Sequence, residues 1–156
     1  MKTTPALIAF ACATALASAQ MERREVHLGE CPQPVQATVN ANARGGHIEE
    51  VDVIGIEGKT IYIAEIALSR HRDLKVYVSG NGALLKTLEE MFFREIPEPV
   101  RTAAQGIGGA VDDIEKETRG EAVTYHVEID RPGETDLDVV LAADGAILSQ
   151  TEEADD

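Results

Sequence analysis

The chain carries one long segment twice. Tyr62 to Glu90 reads YIAEIALSRHRDLKVYVSGNGALLKTLEE, and sixty-three residues later Tyr125 to Glu153 reads YHVEIDRPGETDLDVVLAADGAILSQTEE. Without a gap, Tyr62 meets Tyr125, Glu65 meets Glu128, Ile66 meets Ile129, Leu74 meets Leu137, Val76 meets Val139, Gly82 meets Gly145 and Glu89 meets Glu152. Self-similarity of this length constrains the fold more than composition does, because what one copy forms the other should form too. The match begins upstream of that segment: Cys31-Pro32-Gln33-Pro34-Val35 aligns with Ile96-Pro97-Glu98-Pro99-Val100 at a spacing of sixty-five.

Proline is tolerated in the first turn of a helix, where its missing N–H has no partner to lose. Both Pro-x-Pro segments therefore read as helix starts. Val35 and Val39 in the first, with Val100, Ala104 and Ile107 in the second, have the spacing of one apolar helix stripe. Glycines stop each helix, at Gly45-Gly46 and at Gly106 and Gly108-Gly109. Three strands follow in each copy: Glu49 to Ile56, Thr60 to Leu68 and Leu74 to Ser79, then Val111 to Thr118, Val123 to Asp130 and Leu137 to Ala142. Asn81-Gly82 and Asp144-Gly145 suit tight turns that need positive φ, and short fourth strands, Ala83 to Thr87 and Ala146 to Gln150, follow them. The expected class is α+β: two tandem repeats, each one helix packed on a three- to four-stranded antiparallel sheet, docked into a continuous sheet or a tight pair. The expected division is a signal peptide over 1–19, a first repeat over 20–90, a second over 91–153 and an acidic tail over 154–156.

Residues 1–19 have the zones of an export signal: Lys2, an apolar run from Ala6 to Leu16, and the cleavage pattern Ala17-Ser18-Ala19. The run is too short for a permanent membrane anchor. A lipoprotein alternative rests on Cys12, although Ala9-Phe10-Ala11 fits the usual box before a lipidated cysteine poorly. Either route makes the chain exported, to a periplasm or to the medium. Its formal charge of −14 disfavours nucleic acid and anionic membranes and favours basic partners or cations. After cleavage Cys31 has no second cysteine to pair with, and its alignment with Ile96 favours a buried apolar role.

Alternation assigns two faces to each sheet. Tyr62, Ala64, Ile66, Leu74, Val76 and Val78 point to the helix. On the other face the second copy offers mostly polar groups, Glu115, Glu117, Thr124, His126, Glu128 and Asp138. The first offers Ile54, Ile56, Ile61, Ile63 and Tyr77. Large apolar groups gathered on an exposed face mark an interaction surface unless another part of the chain covers them. These five residues are the candidate partner-binding set, and an exposed strand edge is a second route to a partner.

The motifs Ile96-Pro97-Glu98-Pro99-Val100, Gly108-Gly109, Ile114-Glu115-Lys116-Glu117-Thr118, Tyr125-His126-Val127-Glu128-Ile129 and Leu137-Asp138-Val139-Val140-Leu141-Ala142-Ala143-Asp144-Gly145 resemble tandem PepSY-like domains, grouped with β-lactamase-inhibitor-like proteins. The resemblance runs from about Leu28 to Glu153. It implies exported, non-catalytic modules with an inhibitory role towards an enzyme such as a protease, and it brings no catalytic or cofactor residues.

Other patterns carry less chemistry. His71-Arg72-Asp73-Leu74-Lys75 copies the start of a kinase catalytic loop, but Val78 stands where a metal-binding Asn belongs. Gly106-Ile107-Gly108-Gly109 follows a helix and precedes a strand, the reverse of a dinucleotide-binding turn. His27, His47, His71 and His126 lie in separate elements and have no ligand spacing. Glu49-Glu50-Asp52, Asp112-Asp113 and Glu152-Glu153 lack the spaced oxygens of a calcium loop. They leave a cation-binding envelope protein as the alternative to a binding or inhibitory module. No catalytic, cofactor or metal residue is assigned.

Overall fold

The computed structural model describes residues 22–152, so the export segment 1–19, Cys12 and the tail 154–156 lie outside the described residues. In chain order the elements are β1 (Glu22–Val26), α1 (Gln33–Asn42), β2 (His47–Ile56), β3 (Lys59–Leu68), β4 (Arg72–Ser79), β5 (Leu84–Glu90), α2 (Glu98–Ile107), β6 (Ala110–Arg119), β7 (Ala122–Asp130), β8 (Leu137–Ala142) and β9 (Ile147–Glu152), with single 3-10 turns at Leu28–Glu30 and Phe93–Glu95. All nine strands form one sheet in the order β1 to β9, and every neighbouring pair is antiparallel.

This corrects the expected fold class. The chain is a mostly antiparallel sheet protein, with 54% of the described residues in strands and only two helices, and it is not two repeats of helix on sheet. The reason is the hydrogen bonding around Glu90 and Met91, the expected boundary between the two repeats. There β5 runs on to Glu90 and pairs with β6 through Thr87↔Thr118, Leu88↔Glu117, Glu89↔Lys116 and Glu90↔Glu115. Met91 N then donates to Ile114 O at 2.8 Å. No seam divides the ladder, and each ten-residue helix is an attachment to one continuous sheet.

Both helices lie on the same kind of apolar bed. Val35 and Val39 of α1 are fully buried with Val51, Ala64, Ile66, Leu74, Val76 and Val78, and Cys31 is buried in the same cluster as a free thiol. Burial pushes that thiol's pKa up. Val100 and Ala104 of α2 pack with Ile114, Tyr125, Val127, Ile129, Val139 and Leu141 in a second cluster. Each fully buried Val, Leu or Ile contributes about 1.5–3 kcal/mol relative to exposure, so these clusters dominate the folding energy. Pro32 and Pro97 occupy the N-cap positions, with a further proline just inside each helix. Gln36 Nε2 donates to Cys31 O at 2.7 Å and Arg101 Nη1 to Ile96 O at 2.6 Å, satisfying carbonyls at the two helix entrances.

Gly106, next to last in α2, has nothing within 4 Å of an added Cβ and does not adopt positive φ. Gly106→Ala should therefore raise stability by about 0.4–1 kcal/mol, chiefly by restricting the unfolded chain, as measured by urea unfolding.

Candidate functional site

The two sides of the sheet differ in what they meet. The helices cover one, and among the described residues no helix lies over the other. Strand registry places Ile54 of β2 opposite Ile61 of β3, Ile63 between Asp52 of β2 and Tyr77 of β4, and Tyr77 opposite Lys86 of β5. Ile54, Ile61, Ile63 and Tyr77 thus form one apolar strip across three adjacent strands. All four are half-buried among lateral neighbours, whereas Ile56, at the end of β2, is 39% exposed.

Charged side chains border the strip. Arg23 of β1 lies opposite Ile54 and binds Asp52 through both carboxylate oxygens, Nε to Oδ1 at 3.0 Å and Nη2 to Oδ2 at 2.5 Å. Asp52 is buried, and a planar guanidinium matched to both oxygens is the geometry that makes such burial tolerable. On the opposite border Lys86 Nζ sits 4.7 Å from the Tyr77 ring centroid and 2.9 Å from Glu117 Oε2. Burial, then the carboxylates Glu115, Glu117 and Glu65, push the Tyr77 hydroxyl's pKa up, so it stays protonated at neutral pH and can donate.

Alternation alone could not find three members of this surface. Leu88 joins it because β5 extends past Thr87, placing Leu88 opposite Lys75. Arg23 and Lys86 join through cross-strand registry. The sequence signal for Arg23 was its place in a strand, and four charged residues in Glu22–Val26 conceal that strand.

Burial is the largest single influence on Glu117 and opposes its ionisation, but Lys86 and Arg119 together outweigh it and hold the carboxyl below its ordinary pKa. A depressed folded pKa means that ionised Glu117 stabilises the fold above the unfolded value. That contribution is lost as pH falls through the lower folded value. Lys86→Met should move the Glu117 titration upward, which carboxyl NMR would register as a higher midpoint.

The acidic groups fall differently from their sequence runs. Register shifts between Ile48 and Glu50 and between Val111 and Ile114 take Glu49 and the Asp112-Asp113 pair out of the ladders. Glu50, Asp52 and Glu65 instead offer carboxylate oxygens within 4.8 Å of one another. The charge of Glu25, then burial and Glu65, raises the Glu50 pKa. Arg23 already neutralises Asp52, so this is an acidic surface held by an internal cation. His27, His47, His71 and His126 remain in four separate places, with His126 Nε2 3.6 Å from Glu117 Oε2.

A cleft of about 760 Å³ lies at the β1–β3 corner, lined by residues including Arg24, Val53, Gly55, Thr60 and Tyr62. Val53 and Tyr62 belong to the helix-side core, so this hollow opens mainly on the helix side, with Arg23, which also borders the isoleucine strip, in its lining. Among the described residues, no helix is long and apolar enough to cross a membrane.

No protein-family profile matches the chain, and no curated protein matches it. Solved structures do. A DUF2874 family protein from Bacteroides ovatus superposes with a TM-score of 0.64 at 15% identity, covering 78% of this chain and 87% of that one. A protein from Bacteroides eggerthii described as a candidate periplasmic protein gives 0.64 at 14%, covering 78% and 88%. A BLIP-like protein from Bacteroides fragilis gives 0.64 at 17%, covering 81% and 90%. At these identities what is shared is the fold, and the expected likeness to β-lactamase-inhibitor-like proteins holds at that level.

Proposed function

We propose that this chain is an exported, non-catalytic binding module of the PepSY-like type, which captures and inhibits a secreted or periplasmic enzyme such as a protease. Its contact surface is Ile54, Ile56, Ile61, Ile63 and Tyr77. The observation that carries this reading is the apolar strip on the side of the sheet that none of the described helices covers, bordered by Arg23 and Lys86. Aromatic and aliphatic anchors within a charged rim are the usual anatomy of a protein interface. The likeness to a BLIP-like protein and to a candidate periplasmic protein supports both the mode and the compartment.

The test is capture from the exported fraction by the immobilised chain, with the bound protein identified by mass spectrometry and then assayed for loss of activity. The Ile61→Asp/Ile63→Asp double variant should keep its unfolding temperature to within a few degrees and lose at least about 100-fold in affinity, since central anchors cost about 2 kcal/mol or more each. Undiminished capture by the folded double variant would remove the strip from the interface.

A further inference from the structure

The sheet ends differently on its two sides. On the β1 edge, four of five residues are charged, and charge on an edge strand is a common deterrent to pairing with another chain. On the β9 edge, Ile147 to Thr151 carry no charge, proline or glycine, all six strand residues are exposed, and Ile147 and Leu148 are 50% and 57% exposed. The register shift against β8 is confined to the start of the strand, so Ser149 to Glu152 form a regular ladder. Alternate N–H and C=O groups of that stretch therefore point outward from the sheet.

The chain itself shows what fits such an edge. β5 has Leu84-Leu85-Lys86-Thr87-Leu88-Glu89 where β9 has Ile147-Leu148-Ser149-Gln150-Thr151-Glu152. Both follow a glycine that packs against a helix-start proline, Gly82 on Pro34 and Gly145 on Pro99. Yet β5 has β6 on its outer side, with Lys116 opposite Glu89 and with Glu117, paired with Lys86, opposite Leu88, whereas β9 has Ser149 in place of Lys86 and no strand among the described residues lies beyond it. Glu152 occupies the position of Glu89; Arg131 Nη2 lies 3.4 Å from its Oε1, yet its side chain is 70% exposed and can meet a second cation. On the uncovered face, Thr151 is opposite Asp138, and Asp138 is opposite Glu128. Strands are about 4.8 Å apart, so a lysine opposite Thr151 on an added strand would stand roughly 10 Å from the Asp138 backbone, within the combined reach of the two side chains.

We propose that β9 is a docking edge that takes an extended segment of a partner protein as a further antiparallel strand. That segment carries lysine or arginine opposite Thr151 and Glu152 and an apolar residue opposite Ile147. Backbone hydrogen bonds give the binding, and the acidic neighbours select a basic sequence. This surface lies at the far end of the sheet from β2–β4 and does not depend on the isoleucine strip.

The test uses the full exported chain and the peptide Lys-Lys-Thr-Lys-Val-Val, ordered to run opposite Glu152 to Ile147, with Glu-Glu-Thr-Glu-Val-Val as its charge-reversed control. The basic peptide should shift and slow the exchange of β9 amides in NMR spectra, and the acidic one should bind at least about tenfold more weakly. Neighbouring residues alternate between facing β8 and facing out. One of Ser149→Pro and Gln150→Pro therefore removes only an outward donor, and the variant that keeps the parent unfolding temperature should lose peptide binding. The Ile61→Asp/Ile63→Asp double variant should bind the peptide as the parent does, which separates this edge from the proposed enzyme-binding face. Equal binding of the two peptides, shifts centred away from β9, or unchanged binding by the folded proline variant would overturn the proposal. So would a concentration-dependent dimer abolished by the same proline, because a second copy would then be the occupant.

Discussion

Gly82→Val and Gly145→Val should each destabilise the fold by about 3 kcal/mol or more, lowering the unfolding temperature by roughly 10 °C for a domain of this size. Two independent costs add. Both glycines have φ of +88°, a conformation in which a β-branched residue is a steric outlier. Both also lie against the backbone of a helix start. A Cβ on Gly82 would stand 2.5 Å from Pro34 Cβ and 2.8 Å from its carbonyl carbon, and one on Gly145 would stand 2.6 Å from Pro99 O. Neither proline can withdraw without lifting its helix from the sheet. At Gly82 that movement would also strain the 2.6 Å hydrogen bond from Thr38 Oγ1 to Gly82 O. Gly55→Ala is the matched control, since its added Cβ meets nothing within 4 Å and its φ is not positive. It should change stability by less than about 1 kcal/mol, and thermal unfolding of the three variants would separate a packing requirement from a general intolerance of substitution.

Glu89→Leu should cost about 3 kcal/mol in urea unfolding. Glu89 is one of few buried charged side chains, 8% exposed on the helix side of β5. Its Oε2 accepts from Arg44 Nη1 at 2.5 Å, and its Oε1 lies 3.7 Å from Arg72 Nη1. Arg72 is itself largely enclosed, with Nε buried and unpaired and its guanidinium 5.7 Å from the Phe92 ring centroid. Deleting the carboxylate would leave two guanidiniums facing an apolar side chain, with only Glu95, 3.1 Å from Arg72, as compensation. Because Arg44 is about half in solvent, its own share is modest, and Arg44→Met should cost less than Glu89→Leu. Equal costs would mean that the pair acts as a unit and that Arg72 contributes little.

Eight of the nine strands were legible in the sequence, because strict alternation and the Asn81-Gly82 and Asp144-Gly145 turns are strong local signals. β1 was not, since Glu22-Arg23-Arg24-Glu25 has no apolar alternation and forms a strand only because β2 offers it a ladder. The fold class was misjudged for a related reason. Pro-x-Pro helix starts and the long self-similarity are conspicuous and favoured two helix-on-sheet units; a continuous sheet was among the expected arrangements, but the pairing of β5 with β6 that merges the two halves is a non-local event that leaves no local pattern. The isoleucine strip was readable from face alternation. Its charged border was not, because the Arg23–Asp52 and Lys86–Tyr77 contacts depend on the registry between strands.

The proposed binding face is tested most directly by amide hydrogen exchange of the chain with and without its captured enzyme. Slowed exchange concentrated in β2, β3 and β4 around Ile54, Ile61, Ile63 and Tyr77, with α1 and α2 unchanged, is the predicted result. Protection confined to the helix side, or spread evenly over the molecule, would contradict it.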